Sequence, residues 1–388
     1  MLEASALKPG WKVWRFDQMA TNVNVRIDNP SESGMAHYVG LEHLDADSLK
    51  IRRWGSPSDV EAGKLMFKKG DIIFGKRRAY QRKLGVANFD GICSAHAMVL
   101  RAKPDVVLPQ FLPFFMQSDL FMNRAVEISV GSLSPTINWK TMAIQEFALP
   151  PMAHQRMLIQ VLCAIDATIE GQEKAAEAGY ATRSSLVEDA LAENFDLKVA
   201  RPLGSYLTDL SYGSSSRSAY ENKGYPILRI PNVLRGSVDY SDIQHIEISD
   251  TEYKRLALRI GDVLLVRTNG NPQYVGRSVV MDHLREATVY ASYLIRIRCD
   301  ESALRPAFLA EFLNAPSTRQ RLRGEVKSSA GNFNINISGI RKQSICAPNL
   351  VDQDGLLLQL QELDQALATL QSRKSASRSL KKQMLIDI

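Results

Sequence analysis

Apolar residues recur along the chain with two different periods, and the change of period divides it. Short β-branched or apolar runs bounded by glycine or charge predict strands at Asp71 to Phe74, Ala97 to Leu100, Val263 to Val266 and Leu294 to Ile297. Leu108 to Arg124 and Pro306 to Arg323 read as helices, each with a proline at its start, where a missing N–H does no harm. After Pro150-Pro151 the period lengthens: Leu158, Leu162, Ile165 and Ile169 step by four, three and four. The same spacing returns after Pro348 at Leu356, Leu360, Leu363, Leu367 and Leu370. Heptad spacing places one apolar stripe on each segment and predicts two long helices paired through those stripes. At 1.5 Å per residue, roughly 40 residues make a helix about 60 Å long. The alternative is that each helix packs separately on its own domain. Gln172, Ala176 and Gly179 interrupt the first stripe and predict close approach or a partner surface there.

The whole pattern is written twice. Gly70-Asp71-Ile72-Ile73-Phe74 followed by Gly85 returns as Gly261-Asp262-Val263-Leu264-Leu265 followed by Gly276, both landmarks displaced by one interval. Arg101 then matches Arg298, Pro109 Pro306, Phe115 Phe312, Asn138 Asn336, Pro150 Pro348, Gln155 Gln353 and Asp166 Asp364. The interval is constant within each block and changes only between blocks, as it does when insertions fall in surface loops. The period is far too long for a solenoid of short units. The expected fold is α+β: a mixed α/β domain over 1–149, a long helix over 150–196, a second mixed domain over 197–347 and a C-terminal long helix over 348–388. The two helices pairing with each other would make a rigid rod, and the duplication gives the chain pseudo-twofold symmetry.

Composition narrows the class. A 388-residue chain with 45% hydrophobic and 23% charged residues is an ordinary globular protein, which excludes disordered and fibrous classes. There is no apolar run of the roughly 18 residues a membrane helix needs, and Met1 to Phe16 lacks a signal-peptide core, so a cytoplasmic protein is expected. Cys93, Cys163, Cys299 and Cys346 lie far apart without histidines at zinc spacing, which predicts reduced thiols rather than a metal site. A net charge of +6 and a pI near 9.0 favour an anionic partner.

Catalytic signatures are missing. No histidine pair, nucleophile elbow or phosphate-binding glycine loop is present. Asn271-Pro272-Gln273-Tyr274 resembles the motif with which amino-methyltransferases hold a flipped base, but it lacks the second proline, and no glycine-rich loop precedes it to hold a methyl donor. Glu221-Asn222-Lys223 and Glu325-Val326-Lys327 match part of a nuclease motif without the upstream acid. The candidates are instead basic and polar clusters at equivalent places after the two Gly-Asp strands. The first holds Lys76, Arg77, Arg78, Tyr80, Gln81, Arg82 and Lys83; the second holds Arg267, Thr268, Asn269, Asn271, Gln273, Tyr274 and Arg277. Arginine and lysine neutralise phosphates or read guanine, and amides pair with adenine edges, so the clusters suit duplex DNA. A second polar loop precedes each proline step, with Ser132 and Ser134 in the first copy and Asn332 and Asn334 in the second. Different residues on equivalent scaffolds suggest two readers of two sequences.

At these residues the chain resembles the specificity subunits of type I restriction-modification systems. The carriers are the run from Gly70 to Lys83, Arg267-Thr268-Asn269-Gly270-Asn271-Pro272 with Val275-Gly276-Arg277, and the entry from Pro150-Pro151 to Gln155. The second proline step, Pro348-Asn349, departs from the family pattern, as does Met152-Ala153-His154. The resemblance implies a non-catalytic subunit with two target recognition domains, spaced along DNA by the two long helices paired as an antiparallel coiled coil. It implies two modification subunits as partners, which would carry S-adenosylmethionine, and restriction subunits joined through them. A different class, a stand-alone adenine methyltransferase or nuclease with its own recognition domains, is the alternative. If the paired helices act as a ruler, a heptad inserted in each is expected to change the unread spacer and leave both half-sequences as they are.

Overall fold

The computed structural model describes residues 7–193, 200–233, 236–329 and 331–386. The chain divides into two compact units, Met1–Glu173 with Gln371–Ile388, and Lys174–Leu370. The first is built on an antiparallel four-stranded sheet in the order Ala20–Val23, Ala97–Ala102, Ile72–Gly75, Leu84–Val86. The second repeats it as Leu207–Tyr212, Leu294–Cys299, Val263–Val266, Ser278–Val280. Register is kept as well as order: Ile72 faces Leu100 in one unit and Val263 faces Ile297 in the other. A second sheet in each unit contains a parallel pair, Tyr38–Val39 with Gly91–Cys93 and Tyr225–Leu228 with Val289–Tyr290.

The repeated Gly-Asp dipeptide has the same local task in both units. Gly70 and Gly261 turn the chain at φ 92° and 89°, where a side chain would be strained. Asp71 and Asp262, both buried, then accept the backbone N–H groups of Lys68 at 2.8 Å and Arg259 at 2.9 Å. Each carboxylate also binds the arginine of the neighbouring strand in a two-pronged pair, Arg101 at 2.7 and 2.9 Å and Arg298 at 2.5 and 3.0 Å. Such forked pairing fixes geometry as well as charge.

One expectation needs correction. The helices predicted over Leu108 to Arg124 and Pro306 to Arg323 are each broken in two, into Phe111–Gln117 and Asp119–Glu127, and into Pro306–Asn314 and Pro316–Gly324. The break falls at equivalent residues for different local reasons. Ser118 leaves the helical region to cap the next helix, its Oγ accepting from the N–H of Phe121 at 3.3 Å. Pro316 pushes Ala315 into an extended conformation, because its ring clashes with a helical residue before it.

The long helices are Met152–Glu193 and Leu350–Ile386. In the first unit, the start of one meets the end of the other: Lys381 pairs with Asp166 and Arg378 with Glu173, each at 2.7 Å, and Leu158 and Leu162 share a core with Met384 and Leu385. In the second unit the opposite ends meet. Arg183 pairs with Asp364 at 2.7 Å, and Leu186, Val187 and Leu191 cluster with Leu356 and Leu360. The pairing is therefore antiparallel, and Asp166 with Lys381 is the image of Asp364 with Arg183. The stripe residues Ile165 and Leu367 are buried, and Ile169, Leu363 and Leu370 half-buried. A side chain on Gly179 would meet Leu367 at 2.7 Å, so the helices approach closely where the stripe turns small. The two packing modes offered by the sequence coexist, since Leu158 and Leu162 also belong to the core that holds Phe111, Phe115 and Phe147.

A buried glutamine ties each long helix to its unit. Gln155 accepts the N–H of Leu108 at 2.9 Å and donates to the carbonyl of Pro150 at 3.0 Å. Gln353 accepts the N–H of Arg305 at 2.8 Å and donates to the carbonyls of Ala303 at 3.0 Å and Pro348 at 2.7 Å. Both side chains satisfy loop groups that would otherwise be buried without partners.

Candidate nucleic-acid interface

In the first unit, three distant segments meet just beyond the strand Ile72–Gly75. The N–H of Lys76 donates to the carbonyl of His96 at 3.1 Å, while its own carbonyl accepts from Ile137 at 2.9 Å. Arg78 donates its N–H to Pro135 at 2.7 Å, and its guanidinium to the Ser134 hydroxyl at 3.2 and 3.1 Å. Arg78 and Arg82 both adopt left-handed conformations, at φ 57° and 53°, on either side of the short turn Ala79–Gln81. Holding two such residues costs on the order of 1 kcal/mol or more each, so the loop shape is imposed by its contacts.

Those contacts divide the candidate residues. Arg82 donates to Asp47 at 2.7 Å, to Asp119 at 2.9 Å and to the carbonyl of Gln117 at 2.5 Å; Lys83 donates to the carbonyl of Leu41 at 2.6 Å. Both bind the fold with the groups a DNA contact would need. Arg78 and Tyr80 are exposed, Lys76, Arg77 and Gln81 half-buried, and Ser132 lies on an exposed loop tip beside Leu133. Arg77 Nη1 lies 3.2 Å from His96 Nε2. Burial, and then the charges of Arg77, Lys76 and Lys64, hold the His96 ring below its ordinary range. A neutral ring can accept from Arg77 at Nε2. Burial first, and then Arg26, likewise lower Lys76.

The second unit uses the same frame. Arg267 donates its N–H to the carbonyl of Tyr293 at 3.0 Å and accepts from Ile335 at 2.9 Å, matching Lys76 bond for bond. The strand Thr268–Asn269 pairs with Asn332–Asn334, which also pairs with Lys327–Ser329. Ala330, in the second polar loop, lies outside the described residues. The Arg267 guanidinium stacks on Tyr212 at 4.4 Å and approaches Asn334 Oδ1 at 3.3 Å; Arg277 stacks on Tyr274 at 4.2 Å. The side-chain Oδ1 atoms of Asn269 and Asn271 accept the backbone N–H groups of Asn271 and Gln273 at 2.8 and 2.9 Å, shaping consecutive turns. Asn271, Gln273, Tyr274 and Asn332 are exposed, and Arg267, Thr268, Asn269, Arg277 and Asn334 half-buried.

Each unit thus joins its basic loop to its polar loop on one backbone frame. The combination of cationic forks, amides and hydroxyls can bond phosphates and base edges. Residues 29–177 match the family model described as the type I restriction modification DNA specificity domain. Over 340 residues the chain is 28% identical to the type I restriction enzyme EcoKI specificity subunit of Escherichia coli (strain K12), covering 83% of this chain and 70% of that one. The chain is thus similar to the specificity subunits of type I restriction-modification systems, and it carries their DNA specificity domain over residues 29–177. The fold agrees. A chain from a structure of a type I restriction-modification system, 20% identical, superposes with a TM-score of 0.61 over 98% of this chain and 97% of that one. The specificity subunit of M. genitalium, 12% identical, gives 0.55 over 98% and 97%. These relatives do not favour a stand-alone methyltransferase or nuclease.

The other sequence motifs of the chain have structural settings as well. Asn271 to Tyr274 is the exposed turn just described. Lys223 pairs with Glu221 at 3.3 Å, and among the described residues no group of three or more histidines, cysteines or acids could hold a metal. Cys93, Cys299 and Cys346 are buried, and burial first pushes the Cys93 and Cys299 thiols up to about 12. Among the described residues, no helix is long and apolar enough to cross a membrane. Sequence reasoning missed His96 and Tyr293, whose carbonyls hold the first residue of each candidate loop. They stand at the interval that relates Arg101 to Arg298, which was the available signal.

Proposed function

We propose that this chain reads a bipartite duplex target, one half-sequence per unit, and assembles the subunits that act on it without performing chemistry itself. What supports this most is the shared frame: identical backbone bonds at Lys76 and Arg267 present different side chains. In the first unit Lys76, Arg77, Arg78, Tyr80 and Gln81 face the target with Ser132 and Ser134. In the second, Arg267, Thr268, Asn269, Asn271, Gln273, Tyr274 and Arg277 do so with Asn332 and Asn334. Two modification subunits hold S-adenosylmethionine and methylate adenine, and restriction subunits join through them.

Arg78→Glu tests the division. Methylated adenines are mapped genome-wide in cells carrying the complex with wild-type or variant chain. Discrimination is expected to fall at one half-sequence and persist at the other; equal loss at both would refute independent readers. Arg78 is the better probe than Arg82, because glutamate at 82 would face Asp47 and Asp119 and disrupt the turn itself.

A further inference from the structure

Most arginines near the reading loops are satisfied by the fold: Arg101 and Arg298 by buried aspartates, Arg82 by two acids, Arg229 by Asp242 at 3.0 Å, Arg296 by Asp209 at 2.8 Å. Arg26 and Arg217 differ. Both are exposed, and neither side chain has an ion pair or hydrogen bond among the described residues. They are separated by the interval that separates the two Gly-Asp strands, and each follows the outer strand of its four-stranded sheet, Ala20–Val23 or Leu207–Tyr212.

Each is carried to the first residue of the reading loop. Arg26 pairs with Leu65, and Leu65 with Cys93, so the three form one row across the sheet; Arg26 and Cys93 both act on the Lys76 ammonium. Arg217 lines a cavity of about 510 Å3 with Ser215, Ser216, Ser292 and Tyr293. The carbonyls of Ser292 and Tyr293 accept from Arg267 at 3.5 and 3.0 Å, and the N–H of Ser292 donates to Ser214 at 2.7 Å. The nearby acid Glu252 is engaged by the Ser214 hydroxyl at 2.9 Å and by Arg255 at 3.8 Å, not by Arg217.

We infer that Arg26 and Arg217 are a matched pair of phosphate clamps, each gripping a backbone phosphodiester of duplex DNA beside its half-sequence. A guanidinium offers donors only, and in the second unit it is joined by the hydroxyls of Ser215 and Ser216, a donor set for phosphate oxygens. This rests on the DNA-reading function proposed above and adds a role that carries no sequence information.

The test uses the full chain with its modification subunits, a duplex bearing the motif mapped from the methylated genome, and a scrambled duplex. Affinity is measured across a salt series for wild type, Arg26→Ala, Arg217→Ala, the double variant and Arg217→Lys. Each alanine variant is expected to lower the slope of log affinity against log salt by about 0.9, the double by about twice that, with the methylated motif unchanged. Arg217→Lys should restore the slope, because a phosphate accepts either cation. An unchanged slope in both alanine variants, or a relaxed motif at one half-sequence, would overturn the clamp while leaving the readers in place. Wild-type protein that binds both duplexes equally would overturn the reading function and the clamp with it.

Discussion

The two units share their backbone plan and differ in how tightly that plan is held. In the first, the carboxylate of Asp71 binds an arginine whose side chain is 50% exposed; in the second, Arg298 is only 19% exposed and Asp262 fully buried. Beyond the strand the first unit continues into a strained turn braced by acids, and the second into a small extra sheet with consecutive asparagine turns. A duplicated frame can thus keep its anchors while the side chains mounted on it change both chemistry and local shape, which two readers of two sequences require.

The anchors should show the largest effect. Asp262→Ala leaves Arg298 half-enclosed without its partner and is expected to destabilise the second unit by about 3 to 5 kcal/mol. Asp71→Ala should be milder, since water can replace the lost pair at Arg101; urea unfolding of both variants would test the ranking, and equal losses would erase the contrast. Gln155→Leu and Gln353→Leu probe what the units share. Each strands two or more backbone groups, at about 1 to 3 kcal/mol per group, so the two losses should be similar. A large difference between them would show that the helix entries are not equivalent.

Smaller effects separate the readers. Arg267→Lys keeps the charge but loses the fork and the stacking on Tyr212, so discrimination at one half-sequence should fall by about 1 to 3 kcal/mol, or roughly 5- to 150-fold in the methylation ratio. The motif half read by the first unit should be untouched. The smallest effect comes from pH. His96 titrates below its ordinary 6.5, so the folded state favours the neutral ring. That contribution is present above the ordinary value and fades as pH falls through the lowered one, because the unfolded chain then binds the proton more readily. Lowering pH from 7 to 5.5 should therefore lower the Tm of wild type slightly more than that of His96→Tyr, which places in the first unit the residue type that the second has at Tyr293.

Local chemistry made the repeated elements legible. The Gly-Asp turns, the short apolar strands and the heptad stripes depend on residues close in sequence, so Ile72–Gly75, Val263–Val266 and both long helices could be anticipated. The duplication itself was visible because matched residues keep their order, and with it came the two-reader organisation. The helix breaks at Ser118 and Ala315 also had local causes, a capping serine and a proline, but a continuous apolar pattern concealed them. Tertiary structure decided the use of the charges. Whether Arg82 can contact a ligand depends on Asp47 and Asp119, and whether Arg26 and Arg217 remain unneutralised depends on what the fold brings beside them. A side chain's charge is written in the sequence, but its partner is chosen by residues tens of positions away, and only folding determines which of them come within reach.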